Sequence, residues 1–425
     1  MRNVRVEAPR APRRAVLRAL LAERDFRQIW LAGAVVGALR WLELLAVSIY
    51  VLEETGSAFT VALLAFVRMA PLFLFGIPAG ALADRFDRRT LLLIGLVTLA
   101  LSAAALATLA LLGLVRLWHV AVVAFLNGMF WSAEFPVRRT MLGEIAGLER
   151  LGQAMALESA TSNATRMLGP ALGGLLFEAV GLHGAFFLAA AGYVLGAVLI
   201  LPVAYRSGSA RSPGWTMLGT VLEGWRFIRG QRLVIATLVV TMIVNFWGFA
   251  YITMVPVIGE RTLGLSAFPI GLLMSAEGFG ALLGAFVIGM YSRPRDYTRV
   301  YLWSSFGFLV AVLLFALSTW YPLSLGLMLL SGVAIAGFAV MQSTIIFLAA
   351  PTEVRSRVMG VLTVSIGAGP LGMLHVGWLA DWLDAPSAVA IMTLEGLIAL
   401  ALATLVWPEL RRPLDLSAER PTGSA

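Results

Sequence analysis

The chain of 425 residues contains no cysteine, which excludes disulfide bonds, thiolate metal sites, iron–sulfur clusters and cysteine nucleophiles. It also contains no lysine, because arginine supplies all 32 basic residues; a P-loop ATPase and Schiff-base chemistry are therefore excluded as well. The three histidines, His119, His183 and His375, lie too far apart in sequence to suggest a metal site. No convincing Ser–His–Asp or paired-carboxylate arrangement is present. We therefore predict no metal, no cofactor and no enzymatic activity.

Charged residues are scarce and apolar residues are abundant. Only 13% of the residues are charged, 60% are hydrophobic, and the mean hydropathy is +0.87. Soluble domains contain about 25% charged and about 45–50% apolar residues, so this composition predicts a membrane protein. A membrane helix needs about 20 mostly apolar residues to cross about 30 Å of hydrocarbon. Twelve such runs are present, near residues 28–52, 58–83, 91–113, 117–138, 153–180, 184–205, 232–257, 267–290, 299–318, 322–349, 357–380 and 386–407.

The arginines are distributed unevenly between the predicted loops. With the N-terminus in the cytosol, 27 of the 32 arginines fall on the inner side, and only Arg116 and Arg261 fall on the outer side. Basic residues favour the cytosolic side, so both termini are predicted to be cytosolic. The net charge of +8 then reflects this topology and contact with anionic lipids at the inner leaflet, and it does not support nucleic-acid binding. The first 27 residues carry eight arginines and are predicted to form a cytosolic arm, not a cleaved signal peptide.

The longest interruption of the apolar pattern, residues 206–231, divides the runs into two groups of six. Its first part resembles a flexible linker, and its second part has the pattern of an amphipathic helix on a membrane surface. The Gly-Pro elements at 169–173 and 369–372 favour a duplicated bundle over chance recurrence of a packing motif. We predict a basic arm (1–27), an N-terminal six-helix bundle (28–205), a cytosolic linker (206–231), a C-terminal six-helix bundle (232–407) and a tail (408–425).

The loop after the second run reads Gly80-Ala81-Leu82-Ala83-Asp84-Arg85-Phe86-Asp87-Arg88-Arg89. It resembles the loop signature of the major facilitator superfamily, G-x-L-x-D-R-x-G-R-R/K, with aspartate at 87 where the general pattern has glycine. Positive-inside charge alone would not produce six matches at fixed spacing. The resemblance implies a cytosolic gate that latches two bundles and releases when a transporter opens inward, made of Gly80, Leu82, Asp84, Arg85, Arg88 and Arg89.

The fifth run contains Gly169-Pro170-Ala171-Leu172-Gly173-Gly174, which resembles the G-P-x-x-G-G element of exporters in the same superfamily. Glycine allows helices to approach closely, and proline bends a helix where neighbouring groups can satisfy the freed carbonyl. The alternative is a packing kink that carries no information on transport direction. We favour the exporter, because the resemblance places Gly169, Pro170, Gly173 and Gly174 at a bundle interface associated with drug and proton antiporters.

Three further stretches, 55–58, 135–139 and 351–358, resemble the branch of the superfamily that includes enterobactin and macrolide exporters. Aspartate at 87 is usual in that branch. The resemblance implies a bacterial inner-membrane exporter of an amphiphile and does not identify the cargo. Many proton antiporters of the superfamily carry R-x-x-x-G in helix 4. The middle of the fourth run, 122–131, contains Asn127 but no arginine, so it lacks the residue on which that coupling route depends.

Polar residues inside the apolar runs are the candidates for a transport site. A charge at mid-bilayer costs about 2.5–3.5 kcal/mol and usually faces a partner or a cavity. The superfamily lines a central cavity with helices 1, 4, 7 and 10 and flanks it with helices 2, 5, 8 and 11. By that analogy we predict a cavity for substrate and proton that contains Arg40, Glu43, Arg68, Asn127, Arg166, Asn245 and Glu277.

Two carboxylates are candidates for the coupling proton. Glu277 is slightly favoured, because no basic residue lies near it in sequence. Glu43 lies three residues after Arg40 on one helix face, so the two could instead form a static pair. The other charged residues of the runs, Glu134, Arg138, Glu158 and Glu395, are expected to be structural or gating residues, and His375 is expected to be a packing residue.

These observations predict an all-α integral membrane protein with twelve helices in two pseudo-symmetric six-helix bundles. The predicted function is proton-driven export of an amphiphilic small molecule, with a drug or macrolide as the first choice of cargo and a siderophore as the second. The alternatives are an importer of a small anionic solute and a membrane scaffold or sensor that does not transport. We expect a monomer in the bacterial plasma membrane whose partners are its substrate, protons and anionic lipids.

Overall fold

The computed structural model describes residues 13–83, 87–205, 228–350 and 355–413. Nearly all of these residues are helical, and none of them is in a strand. The first half of the chain contains α1 (Arg13–Ala22), α2 (Arg24–Thr55), α3 (Ala58–Ala83), α4 (Arg88–Leu111), α5 (Leu117–Gly147) and α6 (Glu149–Ile200). The second half contains α7 (Arg232–Ile243), α8 (Val255–Arg261), α9 (Ala267–Tyr291), α10 (Tyr297–Leu317), α11 (Tyr321–Ala349), α12 (Arg355–Ile366), α13 (Gly369–Trp382) and α14 (Ala385–Val406). The amphipathic helix predicted within 206–231 lies almost wholly outside the described residues.

Some helix ends lie at residues that satisfy free backbone groups. The Asp87 carboxylate accepts a hydrogen bond from the Thr90 N–H at 3.0 Å and so caps the N-terminus of α4. The aspartate that replaces glycine in the loop signature therefore has a structural role. At the other end of a helix, α2 stops at Gly56, whose φ of 61° is the left-handed conformation that glycine adopts most easily.

Two glycines interrupt the long helical stretch from 117 to 200. Gly147 (φ 72°, ψ 165°) separates α5 from α6, and Gly181 (φ 68°, ψ −169°) breaks α6. Residues with a Cβ disfavour both conformations. Helix α6 therefore has a first arm, residues 149–180, and a second arm, residues 182–200. These arms correspond to the fifth and sixth predicted apolar runs.

The seventh predicted run is not one regular helix. After α7 the chain forms a π-helical turn, Val244–Gly248, and a 3-10 segment, Phe249–Thr253, before α8 begins. A π-helical turn accommodates an extra residue within a helix and is frequent at functional sites. The two irregular segments carry Phe246, Trp247 and Phe249, which contact charged or titratable side chains described below.

Ten helices of the described part are long and apolar enough to cross a membrane. That number counts α6 as one helix of 52 residues, and it leaves α3 out, of which only Ala58–Leu72 is counted as a shorter apolar helix. Large apolar side chains are exposed along many helices, for example Trp303 at 71% and Phe286 at 67%. Such a surface is suited to lipid and not to water. The fold is thus all-helical and membrane-spanning, and the number of twelve spans stays a prediction.

Contacts at the helix ends define two faces of the molecule. On one face, the Asp25 carboxylate near the start of α2 accepts from the Ala204 N–H after α6 at 3.2 Å, and Arg232 at the start of α7 pairs with Glu409 after α14 at 2.6 Å. We call this the termini face, because the first and last described residues lie near it. The turn between α2 and α3, at Gly56, lies on the opposite side, which we call the far face.

The halves are joined mainly by two helix pairs, the first arm of α6 with α9, and α3 with α13; smaller contacts join α2 to α8 and α3 to the 3-10 segment. The close approaches involve residues 167–174 of α6 with 267–278 of α9, and residue 377 of α13 with 58–62 of α3. These residues lie in the middle of the helices and toward the far face. Among the described residues, the halves are therefore packed together on the far face.

Candidate functional site

Four charged side chains form a buried ion-pair network within the first half. Glu134 of α5 accepts a hydrogen bond from Arg40 Nη2 of α2 at 3.0 Å and another from Arg138 Nε, one helical turn away. Arg138 Nη1 also lies 2.6 Å from Glu158 Oε2 of α6. Gly33 of α2 leaves the space that Arg138 fills, because a Cβ there would lie 2.5 Å from Nη1. Both carboxylates are only 2% exposed, so the network balances its charges in apolar surroundings.

The structure does not pair Arg40 with Glu43. Arg40 binds Glu134 and lies over the Trp131 ring, 4.7 Å from the ring centroid, whereas Glu43 contacts residues of α3 and α5. The hypothesis of a static Arg40–Glu43 pair is therefore wrong. Arg138, the last residue of the fourth predicted run, lies inside α5 and is only 8% exposed.

Glu134→Ala is expected to destabilise the protein by about 3–5 kcal/mol, because it leaves two arginines without their shared carboxylate in a buried site. Thermal unfolding of the detergent-purified protein, followed by fluorescence-detected size exclusion, measures the loss. The control is Glu144→Ala, whose carboxylate pairs with Arg88 but is 46% exposed, and which is expected to cost about 1 kcal/mol or less. Equal losses in the two variants would contradict the assignment of a buried network.

A second polar cluster surrounds Glu43. Its Oε2 accepts from Asn127 Nδ2 of α5 at 2.8 Å, and Arg68 Nη2 of α3 lies 4.0 Å from the same oxygen. The Arg40 carbonyl holds Arg68 at 2.9 Å, and the Tyr193 hydroxyl donates to Asn127 Oδ1 at 3.3 Å. Asn127, in the fourth predicted run, is therefore a direct hydrogen-bond partner of the Glu43 carboxylate.

The Oε1 atom of Glu43 is buried and has no hydrogen-bond partner among the described residues. It adjoins a cavity of about 20 Å³ that is lined mostly by apolar side chains, with Glu43, Ser48, Arg68 and Asn127 as its polar residues. A cavity needs about 10–15 Å³ and at least two polar partners to hold one water molecule. Glu43 thus combines an oxygen without a hydrogen-bond partner, a nearby cation and a small adjoining cavity, which makes it a candidate for proton exchange.

The only ion pair between the halves that the described residues form lies at the α6–α9 contact, which we call the seam. Arg166 Nη2 of α6 lies 2.7 Å from Glu277 Oε1 of α9. The guanidinium also lies over two aromatic rings, 5.2 Å from the centroid of Trp41 and 5.8 Å from that of Phe249. Glu277 is 1% exposed and Arg166 is 16% exposed. No basic residue lies near Glu277 in sequence, but Arg166 pairs with it across the seam, so distance in sequence did not predict distance in space.

The four predicted exporter-motif residues lie along the first arm of α6 and face two neighbours. Gly169 and Gly173 face α2, where a Cβ on either would lie 2.7 Å from a backbone carbonyl oxygen. Gly174 faces α9 at the seam, where a Cβ would clash with the backbone carbonyl oxygen of Ala267. In the same way, Gly271 of α9 leaves room for α6, because a Cβ there would lie 2.5 Å from the Pro170 carbonyl oxygen. These small residues allow the backbones of the two halves to touch beside the Arg166–Glu277 pair.

Asn245, the remaining cavity candidate, lies apart from these clusters. Its Nδ2 donates to the Thr241 carbonyl at 2.9 Å within its own helix, and Gln342 of α11 donates to the Thr241 hydroxyl at 2.7 Å. The structure therefore brings Arg40, Glu43, Arg68 and Asn127 into one polar region of the first half. It places Arg166 and Glu277 at the seam and leaves Asn245 satisfied locally.

The predicted gate residues that the structure describes lie at the termini face. Gly80 and Leu82 are in the last turns of α3, whereas Asp84 and Arg85 lie outside the described residues. Arg88 Nη1 binds Glu144 Oε1 at 2.8 Å and the Tyr205 hydroxyl at 2.7 Å. Arg89 donates to the Ile200 and Leu201 carbonyls. The two arginines therefore tie the start of α4 to the ends of α5 and α6 within the first half.

Two carboxylates that the sequence analysis missed hold the halves together at the far face. Asp381 of α13 accepts from the Phe59 N–H at 3.1 Å and from the Ser57 hydroxyl at 2.9 Å. Glu178 of α6 accepts from the Phe268 N–H at 2.8 Å. Each acid thus caps the N-terminus of a helix from the other half, where the helix dipole favours an anion.

The two caps are related by the internal repeat. The capped helices α3 and α9 both begin at the tripeptide Ser-Ala-Phe, at residues 57–59 and 266–268. The capping acids lie near the far-face ends of the two Gly-Pro helices, the first arm of α6 and α13. This repeated tripeptide was the available signal, because it marks two equivalent helix starts with free backbone N–H groups.

Comparison with known proteins agrees with this architecture. Residues 17–418 match the sequence profile of a family described as transmembrane secretion effector. The chain is 29% identical over 404 residues to the multidrug efflux pump Tap of Mycolicibacterium fortuitum, covering 92% of this chain and 97% of that protein. It is 25% identical over 388 residues to the enterobactin exporter EntS of Shigella flexneri, covering 91% and 92%.

A solved structure provides a comparison of fold. The crystal structure of a POT family transporter in complex with 5-aminolevulinic acid superposes with a TM-score of 0.72 over 90% of this chain and 96% of that chain. The two sequences are 13% identical, so this likeness concerns the fold alone.

Proposed function

Since the chain belongs to the transmembrane secretion effector family of the major facilitator superfamily, we propose that it is a secondary active exporter that exchanges protons for an amphiphilic small molecule. The family and the relatives by sequence are transporters and not enzymes. The observation that carries the proposal is the Arg166–Glu277 ion pair. It joins the halves within the membrane region, beside the glycines that let them touch, and a proton can dissolve it.

The proposed topology has twelve spans in two six-helix bundles. It counts α3 and both arms of α6 as separate spans, and it joins α7 to α8 and α12 to α13. The termini face is the cytosolic face of a bacterial plasma membrane, because nearly all loop arginines lie there. The protein acts as a monomer, with anionic lipids against its basic inner surface.

In the proposed cycle, the Arg166–Glu277 pair locks the empty, deprotonated transporter with its far face closed. A cargo that engages Arg166 or its aromatic neighbours weakens the pair, and the far face then opens. There a proton binds Glu277 as the cargo leaves, so the pair does not re-form until the proton is released on the cytosolic side. Cargo and proton each break the same Arg166–Glu277 pair, which we call the lock. Their competition couples the export of cargo to the entry of a proton. Glu43, with its free oxygen, is the second candidate for the proton.

A drug or macrolide is the first choice of cargo, because a relative aligned over nearly the whole chain is a multidrug efflux pump. A siderophore is the second choice, supported by the relative that exports enterobactin and by an arginine at the seam that could bind an anionic ligand. Import of a small anionic solute has less support, because the Gly-Pro element resembles that of exporters.

Everted membrane vesicles with an imposed proton gradient and a pH-sensitive dye test the proposal. Macrolides, cationic dyes and catecholate siderophores are added one at a time. We expect at least one class to dissipate the gradient in vesicles with the protein and not in vesicles without it. If correctly inserted protein gave no response to any class, proton-coupled export of these amphiphiles would be contradicted.

A further inference from the structure

Glu395 lies in an unusual place for a carboxylate. It is the middle residue of α14, about 15 Å from either end at about 1.5 Å per residue. It is exposed, and it shares its helix face with Ile391, Ile398 and Leu402, which are also exposed. A charged side chain at this depth is costly unless a partner compensates it. Neither the Arg166–Glu277 pair nor the predicted cytosolic gate involves Glu395.

The side chain is held by the irregular segment after α7. Trp247 of the π-helical turn donates its Nε1–H to Glu395 Oε2 at 2.9 Å. Gly396 makes this approach possible, because a Cβ there would lie 2.8 Å from Trp247 Cβ. The backbone of Phe246, the preceding residue, packs against Gly372 of α13, where a Cβ would clash with the Phe246 carbonyl oxygen. The π-helical turn therefore presents two neighbouring rings between α13 and α14.

Aromatic side chains continue from this point toward the far face. The Phe246 ring lies 4.8 Å from Trp247 and 5.8 Å from His375 of α13. His375 lies 6.4 Å from Trp378, which lies 5.6 Å from Trp382 at the end of α13. Trp378 is 48% exposed and Trp382 is 74% exposed, so the row of rings opens onto the surface.

We propose that Glu395 and this row of rings form a binding site for a hydrophobic organic cation on the lipid-facing side of the second half. The carboxylate supplies the opposite charge, and aromatic faces attract a cation within about 6 Å of their centroids. A lipid headgroup does not fit the site, because headgroups lie at the interface, about 15 Å from the mid-membrane. A cation with an apolar body can reach this depth.

The site is connected to the seam through the same irregular segment. Phe249, two residues after Trp247, lies over the guanidinium of Arg166. A cation bound at Glu395 therefore sits beside a segment that contacts the proposed lock. In the proposed export cycle, the Glu395 site is where a cationic cargo is taken up from the membrane. The binding site itself rests on the proposed function only for where its ligand comes from.

Tetraphenylphosphonium and tetraphenylborate test the site, because they have nearly the same shape and opposite charge. Binding of each to the protein in phosphatidylcholine nanodiscs is measured by equilibrium dialysis, with empty nanodiscs subtracted. We expect Glu395→Gln to weaken tetraphenylphosphonium binding about tenfold or more and to leave tetraphenylborate binding unchanged. Trp378→Leu is expected to weaken the cation's binding as well.

Two matched variants control for general effects. Glu54→Gln removes another exposed carboxylate, near the far-face end of α2, and Trp303→Leu removes a lipid-exposed tryptophan from α10. Neither should change binding. Equal cation binding by Glu395→Gln and the unmodified protein would overturn the proposal. The proposal would also be overturned if the unmodified protein formed a dimer that Glu395→Gln did not form, because a second copy of the chain would then cover Glu395. Dialysis needs no transport, so failed export with intact binding would count against the proposed function alone.

Discussion

Glu277→Gln is expected to abolish proton-driven accumulation of cargo in membrane vesicles while leaving downhill equilibration intact. The substitution removes both the lock with Arg166 and the group that takes up the proton. The halves can still move, but the gradient no longer biases that movement. A coupling free energy of the usual size corresponds to an effect of about 5- to 150-fold on accumulation. Uptake with and without the gradient, at equal protein levels, measures the two activities separately.

A charge-swapped variant separates this mechanism from a static ion pair. If the Arg166–Glu277 pair only held the halves together, exchanging the two residues, Arg166→Glu with Glu277→Arg, would restore gradient-driven transport. We expect stability to recover and coupling to remain lost, because the acid then lies on α6, between the Trp41 and Phe249 rings that now surround Arg166. Coupled transport by Glu277→Gln, together with its loss in Glu43→Gln, would assign the proton to Glu43 instead.

The sequence predicted the membrane class and the segments well, because these depend on local composition. Apolar runs and arginine-rich breaks follow from the cost of placing charge in hydrocarbon, and each run corresponds to helical segments in the structure. The irregular segment after α7 was not predicted, since Val244–Thr253 has no proline and only one glycine, Gly248. Its π-helical turn depends on tertiary packing against Gly372 and Gly396, and these glycines are distant in sequence.

The candidate site was predicted as a set of residues and not as a set of pairs. Sequence distance left open a pair between Arg40 and Glu43 and suggested that Glu277 would have no basic neighbour. The structure instead joins Arg40 to Glu134 and Arg166 to Glu277, across 94 and 111 residues of sequence. Pairing between helices depends on rotation and depth within the bundle, which one sequence does not specify. The role of each residue in transport stays a prediction.

A covalent bridge between the halves at the far face is expected to stop transport completely. The chain lacks cysteine, so introduced cysteines have no background. Ser57 and Asp381 touch across the halves at 2.9 Å. A short bis-methanethiosulfonate bridge between Ser57→Cys and Asp381→Cys would hold the far face closed. Alternating access requires this contact to separate, so cargo uptake should fall to background and return when a reductant removes the bridge.

A matched pair of cysteines tests whether the halves move as rigid units. Arg232 and Glu409 touch at 2.6 Å within the second half, so bridging Arg232→Cys to Glu409→Cys joins residues that keep their distance when the halves rock. This bridge should leave transport intact, as should either Ser57→Cys or Asp381→Cys alone after treatment with the reagent. Transport that survived the Ser57–Asp381 bridge would mean that the far face need not open. Loss of transport in both bridged pairs would indicate that the second half itself changes conformation. The irregular segment after α7 is the part that we would then expect to move.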